Sequence, residues 1–332
     1  MKALVINEPH QPLEFQERPD LKADAGQVVV KLKCAALNRR DFWITRGLYP
    51  GIEAGVILGS DGAGIVSEVG EGVDAAWVGR EVIINPSLDW GDRQECFGDD
   101  FTILGLPVDG TFATEMVVAE TQLHPKPEQM SWEEAAALPL AGLTAYRALF
   151  SQGGLQKGET ILITGVGGGV ATFLLQFAVA AEANVWVTSS SQAKIDRAIS
   201  MGAKGGFLYT SDDWPNQFLE AAGAPSIIVD SAAGPAYDTL IDLVQMGGRI
   251  VNFGATLGPP DKLEMRKVFW KQLRLQGSTM GSPADFSAMV EFAAAQGIKP
   301  VVEATYPLEE GNTAIEQIEV SPQFGKYVLS IS

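Results

Sequence analysis

The chain has 332 residues, 46% of them apolar and 20% charged, with 36 glycines, the composition of a turn-rich globular protein with room for two domains. Lys and Arg number 24 against 41 Asp and Glu, a net charge of -17; a field of that sign repels phosphate backbones and argues against nucleic acid as a partner. Two cysteines and two histidines are too few for a disulfide framework, a four-thiolate metal site or a histidine cluster.

No run of about 18 apolar residues occurs, so no membrane span is expected. The opening MKALVINEPH lacks the cationic and long apolar stretches of a secretory signal, which makes a cytoplasmic location the expectation. The first 125 residues are strand-like. MKALVI, QVVVKLKCAAL, GAGIVSEVG and REVIIN are short β-rich runs separated by Gly, Asp and Pro, the texture of an antiparallel barrel with long loops. SWEEAAALPLAGLTAYRALF (131–150) then opens on a Ser cap and continues as an Ala-rich helical stretch interrupted by Pro139.

From Gly158 onward strands and helices alternate. ETILIT leads through a glycine turn into VATFLLQFAVAA; NVWVT, QAKIDRAISMGA, IIVD, GPAYDTLIDLVQM, GRIVNFG and LRLQGSTM follow. Strands that are apolar throughout, alternating with amphipathic helices, imply a parallel sheet covered on both faces. This nucleotide-binding domain is placed at 130–282. The tail holds a helix (PADFSAMVEFAAAQG) and a last strand, GKYVLSI, and is expected to return to the first domain, giving 1–129 with 283–332.

The turn reads Gly165-Val166-Gly167-Gly168-Gly169-Val170. Bare glycines admit a pyrophosphate, and the helix start offers free N–H groups and a positive dipole end. Its place between a buried-type strand and a helix lifts it above an isolated glycine motif. After the second strand an NAD site would carry Asp or Glu; here stand Thr188, Ser189, Ser190 and Ser191, then Lys194 and Arg197. Hydroxyls and a cation suit a 2′-phosphate, which points to NADP(H). The same serines also suit a helix cap.

The glycine turn, GLTAYRAL, and the early LNRRDFW, RGLYPG and GSDGAGIVSEVG together resemble the medium-chain dehydrogenase/reductase superfamily, in its quinone oxidoreductase and zinc-free alcohol-dehydrogenase-like branches. The resemblance spans the chain. It implies a GroES-like β-barrel-type catalytic domain joined to a Rossmann doubly wound parallel-sheet domain, with a homodimer formed through the 271–279 stretch. The family's zinc-ligand positions are matched by Asn38, Ser60 and Leu140, and the structural-zinc loop, about 85–110, keeps only Cys96. Amide, hydroxyl and alkyl groups are poor zinc ligands, so no metal is expected.

The resemblance assigns Asn38, Tyr49 and Thr144 to catalysis: Asn38 facing ribose or substrate, Tyr49 capping a developing oxyanion, Thr144 at the nicotinamide side. Phe253, Gly254, Ser278 and Met280 match segments that flank the nicotinamide. It also pairs Asp61 with Lys326. Asp230 stands either at the ligand edge of the sheet or as a turn cap. Arg39 and Arg40, adjacent in a loop, either meet a phosphate or, as is commoner, are solvated; the acidic loop around Cys96 is expected to be a solvated surface and Cys34 a small core residue.

Without a metal or a nearby His, oxidation of simple alcohols lacks an alkoxide stabiliser. Hydride transfer to a quinone or an α,β-unsaturated carbonyl asks only for positioning and a few aimed donors. The expected partner is therefore a small electrophilic substrate. The alternatives are an NADP-linked alcohol or aldehyde dehydrogenase-like enzyme and a non-catalytic NADPH-binding sensor or structural protein.

Overall fold

The computed structural model describes residues 1–320 and 322–332. They form two compact units, Met1–Ala141 with Gly281–Ser332, and Gly142–Met280.

The first unit is a mostly antiparallel β structure. In its larger sheet the strands run in the spatial order Leu123–Pro125, Glu81–Ile84, Asp61–Val69, Gln27–Ala36, Lys326–Ser330 and Val302–Pro307, and Glu115–Ala119 also pairs with Gln27–Ala36. A smaller sheet sets Lys2–Ile6 between Glu14–Glu17 and Val56–Ile57. Alternating side chains of these strands, among them Leu4, Ile6, Val28, Val30, Leu32 and Leu329, meet Phe112 in one buried core, as period-two patterning requires.

The tail groups with the first unit. Its last strand pairs antiparallel with Gln27–Ala36, Val328 opposite Ala36, and the Ser87 hydroxyl donates to the Gly281 carbonyl at 2.7 Å. On the other side of the same strand, Ala36 faces Asp61. That double register brings Asn38, Asp61 and Lys326 to one end of the sheet.

The second unit holds an all-parallel sheet in the order Gly205–Leu208, Asn184–Ser189, Thr160–Ile163, Ile227–Asp230, Arg249–Asn252 and Arg274–Gly277. Chain order runs outward from Thr160–Ile163 in both directions, so the topology switches between this strand and Ile227–Asp230, where ligands of such sheets collect.

Two expectations need correction. The helix Trp132–Ala137, started by a Ser131–Glu134 capping box, belongs to the first unit and not to a domain beginning at 130. Its Ala135, Ala136 and Ala137 are buried, and it packs on Gln27–Ala36 and Asp61–Val69. The strand Gly205–Leu208 is not predicted by its sequence, because two glycines look like a breaker. Packing demands them: a Cβ on Gly205 would meet the Trp186 ring at 2.5 Å, and one on Gly206 would meet Ile195 at 2.7 Å.

Among the described residues no helix is long and apolar enough to cross a membrane.

Candidate active site

In the first unit the end of Gln27–Ala36 turns into the helix Arg39–Thr45, whose N-cap is Asn38. The Asn38 backbone N–H donates to Asp41 Oδ2 at 2.7 Å. Its amide Nδ2 donates to Asp61 Oδ2 at 2.9 Å, and its amide oxygen accepts from Lys326 Nζ at 2.6 Å. Lys326 also pairs with Asp61 at 2.9 Å, both side chains almost fully buried. The Leu140 N–H donates to the other Asp61 oxygen at 2.7 Å. The expected Asp61–Lys326 pair is therefore present, and Asn38 is its third member, with its amide turned to the pair as an orienting group.

One residue on, the sequence misleads. Arg40 is buried: its guanidinium donates to Ser60 Oγ at 2.6 Å and to the Leu104 carbonyl at 2.7 Å, and lies 5.1 Å from the Tyr49 ring centroid. Burial follows because backbone carbonyls of a distant loop and a flat ring replace water around the planar cation. Arg39 is exposed, over the Trp43 ring. Asp41 is buried with one oxygen lacking a partner. Burial pushes its carboxyl up to about 6, against the nearby Arg40 charge. An Asn cap with an acid three residues later was the available signal for it.

The acidic loop is solvent-exposed as expected, at Asp89, Asp92, Glu95, Asp99 and Asp100. Beneath it, Trp90 packs edge-on against Phe97 and Phe101. Trp90 is therefore a packing residue. Cys34 is buried, and burial pushes its thiol up to about 12, the setting of an inert thiol.

In the second unit Thr160–Ile163 ends in the glycine turn, with φ +64° at Gly165 and +139° at Gly167, conformations open chiefly to glycine. The Gly165 N–H donates to Thr188 Oγ1 at 3.2 Å and the Val166 N–H to the Thr188 carbonyl at 2.7 Å. This stitches the turn to the end of Asn184–Ser189. Gly168 caps the helix Gly169–Ala180, so Gly169 and Val170 open its first turn. A Cβ on Gly165 or Gly168 would meet nothing within 4 Å: the turn faces open space.

Ser189 is buried and Ser190 exposed. The Ser189 hydroxyl accepts from the Ser191 N–H at 3.2 Å, while Ser191, at the N-cap of Gln192–Ser200, makes no side-chain cap. Lys194 is half-buried in that helix and Thr144 buried in Pro139–Tyr146.

At the carboxyl edge of the sheet, the Phe253 N–H donates to the Asp230 carbonyl, and Gly254 is exposed. Asp230 itself caps the turn, accepting from the N–H groups of Ala232 and Ala233 at 3.1 and 2.7 Å. Ser278 and Met280 are buried, Met280 at φ +46°. The Ser278 hydroxyl has no hydrogen-bond partner.

Residues 24–128 match the alcohol dehydrogenase GroES-like domain, and residues 169–295 the zinc-binding dehydrogenase domain. The zinc-type alcohol dehydrogenase-like protein YogA of Leptosphaeria maculans is 37% identical, over 97% of this chain and 95% of its own. The acryloyl-coenzyme A reductase of Metallosphaera sedula is 31% identical over 99% of this chain and its whole length. The crystal structure of an NAD-dependent alcohol dehydrogenase, 34% identical, superposes with a TM-score of 0.94 over the whole of both chains. The chain belongs to the medium-chain dehydrogenase/reductase superfamily.

The zinc implied by the second domain's name does not fit the residues present. Asn38 offers an amide oxygen already bonded to an ammonium; Ser60 donates to the Leu104 carbonyl and accepts from Arg40; Leu140 contributes a backbone N–H. Zinc needs basic sulfur, nitrogen or carboxylate ligands, and two cationic side chains bonded at these positions repel a dication. Among the described residues no group of three or more His, Cys, Asp or Glu is placed to hold a metal ion. A dinucleotide does fit the second unit: open space over Gly165 and Gly168 beside a helix start, and an unpartnered buried hydroxyl at Ser278.

Proposed function

We propose that the protein is a zinc-independent reductase that delivers hydride from NADPH to the electron-poor carbon of a quinone or an α,β-unsaturated carbonyl compound. The observation that carries this reading is the replacement of zinc ligands by hydrogen-bonded cations: Lys326 on Asn38 and Arg40 on Ser60. Such a site has no Lewis acid for an alkoxide, yet it suits an acceptor whose charge moves onto an oxygen. The reductase relative from Metallosphaera sedula is named for an α,β-unsaturated acyl thioester, which supports the enone half of the proposal.

Gly165, Gly167, Gly168, Gly169 and Val170 would hold the pyrophosphate, and Ser189, Ser190 and Lys194 the 2′-phosphate. Thr144, Phe253, Gly254, Ser278 and Met280 would hold the nicotinamide end. When bound, NADPH would supply the hydride. The Tyr49 phenol would donate a hydrogen bond to the acceptor oxygen as charge develops there, and solvent would supply the proton that completes the reduction. Asn38 keeps the Asp61–Lys326 pair in register. Homodimerisation through the edge strand Arg274–Gly277, and a cytoplasmic location, belong to the same proposal.

The relatives named alcohol dehydrogenases favour one rival reading, carbonyl reduction. Product analysis with NADPH and 2-cyclohexenone separates the two. Our reading gives cyclohexanone; 2-cyclohexenol as the main product supports the rival.

A further inference from the structure

We propose that Arg40 is the positioning residue for Tyr49, a fixed cation that holds the phenol ring and strengthens its O–H as a donor to the acceptor oxygen. The inference rests on the reductase reading above and concerns a residue that the resemblance leaves without a role.

A buried guanidinium is ordinarily matched by a carboxylate, because an unmatched charge is expensive to remove from water. Arg40 is 8% exposed. Among the described residues no carboxylate oxygen lies within 4 Å of it: its partners are Ser60 Oγ at 2.6 Å and the carbonyls of Leu104 and Leu106 at 2.7 and 3.4 Å, while its Nε has none. Neutral oxygens hold the guanidinium, and the buried Asp41 carboxyl feels its charge without forming an ion pair with it. The guanidinium carbon lies over the ring of Tyr49, 5.1 Å from its centroid, within the range of a cation–π contact.

Tyr49 needs such a platform. It lies outside any helix or strand, in a turn between Gly47 at φ +68° and Gly51 at φ +71°. The ring is half-buried, and its hydroxyl makes no hydrogen bond among the described residues. A cation stacked on the ring draws electron density from it, which makes the phenol a stronger donor while leaving its oxygen unengaged. Lys326, the cation on Asn38, has its charge matched by Asp61 at 2.9 Å.

The test is a double-mutant cycle on the full chain with Arg40→Met and Tyr49→Phe, read as kcat and KM for NADPH-dependent reduction of 2-cyclohexenone and 9,10-phenanthrenequinone. Arg40→Met should lower kcat about tenfold while leaving the KM for NADPH unchanged. In the Tyr49→Phe background the same change should cost less than about twofold, because the two residues act as one unit. Equal losses in both backgrounds would overturn the proposal and leave Arg40 a loop clamp. Arg40→Lys keeps the charge and can still reach a carbonyl, so it guards against a folding failure; its loss should fall between wild type and Arg40→Met. A second readout needs no turnover. The ¹³Cζ resonance of Tyr49, assigned by its disappearance in Tyr49→Phe, should move in Arg40→Met, and an unmoved resonance also overturns the proposal. A wild-type protein inactive on both acceptors would sink the reductase reading, and the resonance would then decide the Arg40–Tyr49 coupling by itself.

Discussion

Lys326 Nζ lies 2.9 Å from Asp61 Oδ2, inside the first unit, and ties the last strand to one that begins 265 residues earlier. Asn38 and the Leu140 N–H complete the coordination of the pair. Removing one member of a buried ion pair leaves the other charge without compensation. Lys326→Met and Asp61→Asn should each lower unfolding stability by about 3–5 kcal/mol, and the double variant should recover part of that loss. Urea unfolding measures it. Losses below about 1 kcal/mol in both single variants, the size of an exposed pair, would contradict a structural role.

Gly168 separates binding from folding. Its φ of -70° suits any residue, and an added Cβ meets nothing within 4 Å. Because alanine is a poorer N-cap than glycine, Gly168→Ala should cost no more than about 1 kcal/mol of stability. The new methyl would stand in the open space assigned to the pyrophosphate, so NADPH affinity should fall about tenfold, or 1.4 kcal/mol, in a fluorescence titration. Unchanged affinity would remove the glycine turn from the cofactor site.

Much of this was legible from the residues. The parallel sheet follows from apolar strands such as Thr160–Ile163 and Ile227–Asp230, buried on both faces, because periodicity reports burial directly. The Asp61–Lys326 pair became visible only through the family resemblance; spacing alone says nothing across 265 residues. Arg40 was misjudged for a related reason. Arginine is usually solvated, and the carbonyls that bury it belong to Leu104 and Leu106, 64 and 66 residues away. Gly205–Leu208 was missed because its glycines answer to the Trp186 ring and Ile195 across the fold, contacts that local propensity does not encode.

Asp41 predicts a pH dependence. Burial raises its carboxyl from 3.8 to about 6, so between those values the folded chain holds a proton that the unfolded chain has released. Stability should fall as pH rises through that window. The sequence pI of about 4.5 makes the upper part of the window the workable one. From roughly pH 5.2 to 7.5 this group should account for about 1 kcal/mol of lost stability, and Asp41→Asn should remove that loss. Wild type and Asp41→Asn showing parallel unfolding free energies over the range would contradict the assignment.

The edge strand Arg274–Gly277 pairs on one side only within the sheet, and Phe269 and Trp270, in the preceding helix, are 64% and 73% exposed. An open strand edge near large exposed apolar rings favours pairing with a second copy. Light scattering at micromolar concentration should give a dimer, and Trp270→Glu should shift it toward monomer. A wild-type monomer would remove the dimer from the account.

The proposed reaction is a metal-free, NADPH-linked reduction of an electron-poor acceptor. Its most direct test is the initial rate of coenzyme oxidation by chelator-treated protein with 9,10-phenanthrenequinone and 2-cyclohexenone, NADPH run beside NADH. Turnover should survive chelation and be faster with NADPH. Activity abolished by chelation and restored by zinc would contradict it, as would a preference for NADH or no turnover with either acceptor.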